Sequence, residues 1–262
     1  MAGAKGSPST GGGGGGGGGT PAAWTTLREV DFRVDTTASS GAVTSVGPHT
    51  IYAADGVTAK ATVQAHTSGS FSLSWSTSTG IEVVTTSTRW VGVPIDLTGI
   101  NVENDLWLVD VVFEVSSMNT STVCICALGT ALNGNATENC GVRVDRPGAS
   151  SYVLKTRYWD GSATNGSSEA AASSLYGAIS LQIVPRGNWA WTSVFAENSG
   201  AYLTAQQGRD GSTYYGGQPG FKSMSASTTV TGQYSAGSTY IIWGGTGGGT
   251  TRLLAYRVRR FQ

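Results

Sequence analysis

The chain has 262 residues, 39 of them glycine, with 16 basic and 16 acidic side chains making up 12% of the whole. That length suits one large sandwich or two small domains, and the balanced charge argues against a nucleic-acid partner, which calls for a basic excess. No apolar run reaches the roughly 18 residues of a membrane span, and Met1-Ala2-Gly3-Ala4-Lys5 has no apolar stretch behind it, so neither a membrane partner nor a signal peptide is expected, and synthesis in a cytoplasm is.

Residues 1–23 stand apart. Gly11 to Gly19 is an unbroken glycine run flanked by Pro8, Ser9, Thr10, Thr20 and Pro21. It has no side chains to bury and cannot build a core, so a flexible arm is expected. Extended, an arm of this length reaches some 65–70 Å. Gly11, Gly15 and Gly19 mark it as a candidate assembly arm.

From Trp24 onward the pattern is that of strands. Leu, Glu and Lys are sparse, and Val, Ile, Trp, Tyr and Phe fill the apolar positions, as a pleated, half-buried surface requires. Arg28 to Val34 alternates, with Val30, Phe32 and Val34 expected inward. Val57, Ala59, Ala61, Val63 and Ala65 alternate with polar neighbours, as do Phe71, Leu73 and Trp75. Leu106 to Val115 is apolar at every odd position and mixed at the even ones. It reads as a central strand nearly buried on both faces, followed by a turn at Ser116-Ser117-Met118-Asn119 and a second such strand from Thr122 to Leu128. Tyr152–Trp159, Gly177–Val184, Trp189–Phe195, Thr239–Trp243 and Arg252–Phe261 follow. Val109, Val111, Phe113, Leu181 and Ile183 are the expected core.

Asp55-Gly56, Asn133-Gly134, Asp160-Gly161, Asn165-Gly166 and Asp210-Gly211 supply the positive φ angles of tight turns. Gly244 to Gly249 reads as a flexible loop opening the last strand, since it lacks the Lys of a phosphate loop. Arg257-Val258-Arg259-Arg260 reads as a solvated strand face. Many short strands with no fixed repeat mean an antiparallel β-sandwich or barrel.

Of the three cysteines, Cys124 and Cys126 lie two apart on a strand, nearly 7 Å from one another, too far to bridge easily. Three reduced thiols acting as small hydrophobes are expected, the alternative being a hairpin that brings Cys140 beside one of the other two. His49 and His66 are remote from them in sequence, so no zinc site is assembled.

Signatures of catalysis are few. Two histidines, with no acidic residue placed to orient either, make a Ser–His–Asp relay improbable. Glu29-Val30-Asp31 has the i, i+2 carboxylate spacing of sandwich glycosidases, but the third carboxylate of the jelly-roll glucanase motif is replaced by Val34. Glu103-Asn104-Asp105 has the spacing too, with Leu108 in the third position. No enzyme activity, cofactor or metal is expected. Sugar binding needs exposed aromatic faces on loops. Trp159 and Asp160, with Tyr214 and Tyr215, are the glycan-binding candidates, and Asp160 with Asn165 offers oxygens to Ca²⁺. The plainer alternative is that Trp159 ends a core strand and its neighbours form a turn.

Arg89-Trp90-Val91-Gly92-Val93-Pro94-Ile95-Asp96-Leu97, the two buried strands after it, and the closing Leu253-Leu254-Ala255-Tyr256-Arg257-Val258-Arg259-Arg260-Phe261 resemble the jelly-roll, concanavalin A-like domains of virion proteins in tailed bacteriophages. The resemblance covers about residues 24–262. It implies a virion location, as a capsid decoration, fibre or tail-knob protein that forms a homo-oligomer with other virion proteins as partners. A lectin on the same fold, binding a host surface glycan, is the first alternative, and a polysaccharide hydrolase the second.

Overall fold

A computed structural model describes residues 23–66, 70–102, 104–132, 140–158, 165–168, 176–186, 189–198, 204–207, 213–216, 220–225 and 238–262; over 156–225 it gives strand backbone, with Ile179 the described side chain. Among the described residues the structure is all β, without a helix.

Two antiparallel sheets pack face to face. Eight strands form the first, seven of them paired in spatial order: β16 (Gly220–Ser225), β13 (Trp189–Asn198), β12 (Tyr176–Arg186), β7 (Trp107–Met118), β18 (Gly249–Phe261), β5 (Gly80–Thr85) and, at the edge, β4 (Phe71–Ser76). β1 (Trp24–Asp31) also joins it, beside β18. The second sheet runs β11 (Asn165–Ser168), β10 (Ser151–Tyr158), β9 (Cys140–Gly148), β8 (Thr122–Gly129), β17 (Tyr240–Thr246), β6 (Arg89–Pro94), β3 (Ala59–Ala65) and β2 (His49–Tyr52). β14 (Thr204–Gln207) and β15 (Thr213–Gly216) make a separate ribbon.

The strand period of two selects the core. Val109, Val111 and Phe113 of β7 and Tyr256 and Val258 of β18 face Cys124, Cys126 and Leu128 of β8, Val142 and Val144 of β9, and Trp243 of β17, all in one buried cluster. Each large apolar side chain so buried contributes about 1.5–3 kcal/mol. Ile179 joins them opposite Phe113; Leu181 and Ile183 stand in register opposite Val111 and Val109. The odd positions of β8 differ from those of a one-sided strand. Ile125 and Ala127 form a second buried cluster with Trp90 and Ile242 on the other face of that sheet, as the unbroken apolar run implies.

Four expectations are corrected. β1 ends at Asp31, whose carboxylate accepts the Arg33 amide and starts a turn, so Val34 is 60% exposed. Val57 is 78% exposed because Asp55 accepts the amides of Val57 and Thr58 and holds both in the turn preceding β3. β7 continues through Ser116 to Met118, and the reversal falls after it, with Ser121 at φ 59°. Asn165-Gly166 lies in β11, not in a turn. Asp55-Gly56 is the turn expected, with Gly56 at φ 71°; Asn133-Gly134, Asp160-Gly161 and Asp210-Gly211 lie outside the described residues.

Candidate functional site at the root of the N-terminal arm

The described chain begins where the arm meets the sandwich. Ala23 donates its amide to the Gln262 carbonyl at 2.8 Å and accepts the Gln262 amide at 2.9 Å. From there β1 runs antiparallel to β18, from Trp24 opposite Phe261 to Asp31 opposite Ala255, with a bulge between Thr26 and Arg28. Thr25 to Glu29 are exposed, and Val30 and Phe32 bury the strand's far end. Among the described strands β1 pairs with β18 alone. Its bulge and its charged Arg28 and Glu29 suit an edge protected against casual strand addition.

Side chains reinforce this corner. Trp24 meets Phe261 edge to face at 5.5 Å, a favoured aromatic geometry, and the Arg259 guanidinium lies 5.7 Å from the Trp24 ring centre. Beneath it Arg259 Nη2 donates to Asp110 Oδ1 at 2.9 Å, and Arg257 Nε donates to Asp110 Oδ2 at 2.9 Å. Asp110 is 7% and Arg259 3% exposed. The expected solvated face at the end of the chain is therefore corrected. Arg257 and Arg259 turn onto a buried carboxylate of the neighbouring strand β7, which removes Arg259 from water. On the strand's other flank Arg28 donates to Asp96 at 2.6 Å. Hydrogen bonds from Thr98, first its hydroxyl and then its amide, with Arg28 adding to them, depress the Asp96 carboxyl to about 2.

Of the residues singled out in sequence, Trp159, Asp160, Gly11, Gly15, Gly19 and Glu103 lie outside the described residues. Tyr214 and Tyr215 stand on β15, opposite Gln206 and Ala205. Glu29 is exposed, and Asp31 is already committed. Arg33 donates to it through Nε at 3.0 Å, Nη2 at 2.7 Å and its amide at 2.8 Å. Burial raises the Asp31 carboxyl, but the Arg33 hydrogen bonds and the charges of Arg33 and Lys60 outweigh it and hold it below the usual range. A general acid needs the opposite shift. Among the described residues no group of three or more His, Cys, Asp or Glu is placed to hold a metal ion.

No protein-family model matches the chain, and no curated protein does. Three solved structures are similar to it in part. A protein of unknown function from Shewanella oneidensis MR-1 is 10% identical over 76% of this chain and 78% of its own, with a TM-score of 0.46. The CBM2 module of the evolved Dit of Lactobacillus casei BL23 phage J-1 is 11% identical over 92% and 97%, at 0.44. The exoplasmic/lumenal domain of VIP36, in its Ca²⁺/Man3GlcNAc-bound form, is 9% identical over 75% and 83%, at 0.34. Scores this low carry no functional weight. The sandwich stands on the strand register and core of the chain itself.

Proposed function

We propose that the chain is a structural component of a tailed-phage particle, a capsid decoration, fibre or tail protein, that acts by assembly through its N-terminal arm. The observation that supports this most is the arm's root. Nine glycines offer neighbouring subunits a bare backbone. The described chain that follows them begins at a point fixed by two backbone hydrogen bonds of Ala23 and by the aromatic pair and cation–π contact of Trp24. A pull on the arm passes directly into β18, which lies between β7 and the β1 and β5 edge. The commitment of Asp31 to Arg33 weighs against a Glu29–Asp31 acid–base pair, and so favours binding over hydrolysis.

The test is to locate the chain in purified particles by mass spectrometry and electron microscopy. It is expected at fixed, symmetry-related positions. Absence from particles, together with binding of the full chain to a glycan array, overturns the reading in favour of a lectin. Release of reducing sugar from a bacterial polysaccharide, lost in Glu29→Ala, overturns it in favour of a hydrolase.

A further inference from the structure

Beyond β1 the chain turns through residues 32–36, and its oxygens converge on one point. Nζ of Lys60, on β3 of the opposite sheet, shares its three N–H donors among four oxygens: the carbonyls of Asp31 at 2.8 Å, of Asp35 at 3.0 Å and of Val34, and Thr36 Oγ1 at 3.0 Å. Thr36 is buried and sends its own hydroxyl proton to Val34 O at 3.1 Å, so it presents lone pairs to the ammonium. Asp35 takes a φ of 46°, a left-handed conformation uncommon without glycine. The loop has further ties besides Lys60. Ala54 donates to Asp35 Oδ1 at 3.2 Å, and Thr37 donates to Tyr52 O at 3.0 Å.

Three main-chain carbonyls and one hydroxyl around a single centre, with the charge of the Asp31 carboxylate close enough to feel Lys60, form an all-oxygen ligand set of the kind hard cations take. An ordinary surface lysine keeps its head group in water; this one is half-buried and gives up that hydration for four oxygens. We propose that the loop after β1 is a cation site whose resident ion is the Lys60 ammonium, tethered from the opposite sheet. The site accepts a free monovalent cation of similar size, ammonium, methylammonium or potassium, once that head group is removed. The inference is independent of any role in a particle. It gives the exposed edge of the sandwich an inter-sheet staple where another protein would use a bound metal or a disulfide.

Competitive acetylation of the full chain, read by mass spectrometry, tests the resident ion. Acylation needs an accessible head group, and breaking a hydrogen bond made by a charged donor costs about a factor of ten or more. Lys60 should therefore react at least about tenfold more slowly in the native chain than in denaturant, after correction for the intrinsic rate. Equal rates overturn the proposal. Hydrogen exchange tests the exchangeable site. In Lys60→Ala the amides of residues 33–37 should lose protection, and methylammonium or potassium should restore it, while the bulky tetramethylammonium ion should not. The wild-type chain should respond to none of these salts. Native protection and Tm retained in Lys60→Met overturn the role of the charge. Protection lost in Lys60→Ala and recovered with no cation overturns the exchangeable site. Should Lys60→Ala fail to fold, the wild-type acetylation still decides the resident ion.

Discussion

Gly244 adopts a φ of +139°, and a Cβ there would sit 2.3 Å from the Arg89 carbonyl oxygen. Its neighbour Gly245 would bring a Cβ to 2.6 Å from Val123 O. The two glycines let β17 lie between β6 and β8 without a side chain in the way. The expected flexible loop over Gly244 to Gly249 is thus corrected: its first half is buried strand, and only the link at Gly247-Gly248 separates β17 from β18. Both glycines face backbone atoms that cannot swing aside, so Gly244→Ala should destabilise the chain by about 3 kcal/mol or more. Gly41→Ala, with open space around the new methyl, should stay within about 0.5 kcal/mol. Urea denaturation of the two variants checks the contrast. A glycine run reads identically in sequence whether it is loose or packed, because what forbids its Cβ comes from strands far away in the chain. The thiols were more legible, since their i, i+2 spacing on a strand already forbids pairing. Cys124 and Cys126 are free and buried, and burial pushes the Cys124 thiol up to about 12 and the Cys126 thiol higher. As the thiolate is the nucleophile, iodoacetamide at pH 8 should leave both unmodified in the native chain and alkylate both in denaturant.

β18 is the element on which the first sheet depends. Its 13 residues pair with β7 along their length, with β5 over Gly249 to Leu253 and with β1 over Ala255 to Phe261. Register shifts at Thr250/Thr251 and Leu253/Ala255 change which side chains face outward. Arg252 comes to lie between Glu82 at 2.8 Å and Glu114 at 2.9 Å, and Arg257 and Arg259 converge on Asp110. Removing one member of a buried ion pair strands the other, at a cost of about 3–5 kcal/mol. Asp110→Ala should lose stability on that scale. Glu82→Ala should lose roughly 1 kcal/mol or less, because Arg252 is partly solvated and keeps Glu114. Chemical denaturation of the two variants separates them, and a similar small loss in both would show the Asp110 cluster to be as weak as a surface pair. The strand was visible in sequence; its ion pairs were not. Alternation identifies Arg257 and Arg259 as one face, but the carboxylate they meet is supplied by β7, about 150 residues earlier in the chain.

At the scale of the whole molecule, the sandwich was legible because strands such as β4 carry the period of two and pairs such as Asp55-Gly56 mark the turns between them. The order of strands within the sheets was not, because it depends on pairing between distant segments, as in β18 against β1 and β7. The same pairing brings the two ends of the described chain together at Ala23 and Gln262 and sets the last prediction. If the arm tethers the body, it acts beyond the hydrogen-bonded root, and its length matters to assembly but not to folding. Nine glycines extend over at most about 30 Å, enough to cross onto a neighbouring subunit. Fixing them there costs about 1–2 kcal/mol of backbone entropy per residue, which favours a partner surface repeated many times over a single weak contact. A passive spacer between an anchor at Met1 to Thr10 and the body is the competing role, natural for a glycine run. Deleting Gly11 to Gly19 while keeping Met1 to Thr10 and the Ala23–Gln262 root separates the two. The shortened chain should melt at the wild-type Tm, since the core and the root clamp are untouched, and its incorporation into particles, measured against wild type in co-expression, should fall sharply. Normal incorporation of that chain, or of one lacking residues 1–22 altogether, would show that the arm is not the anchor and move assembly to the faces of the sandwich.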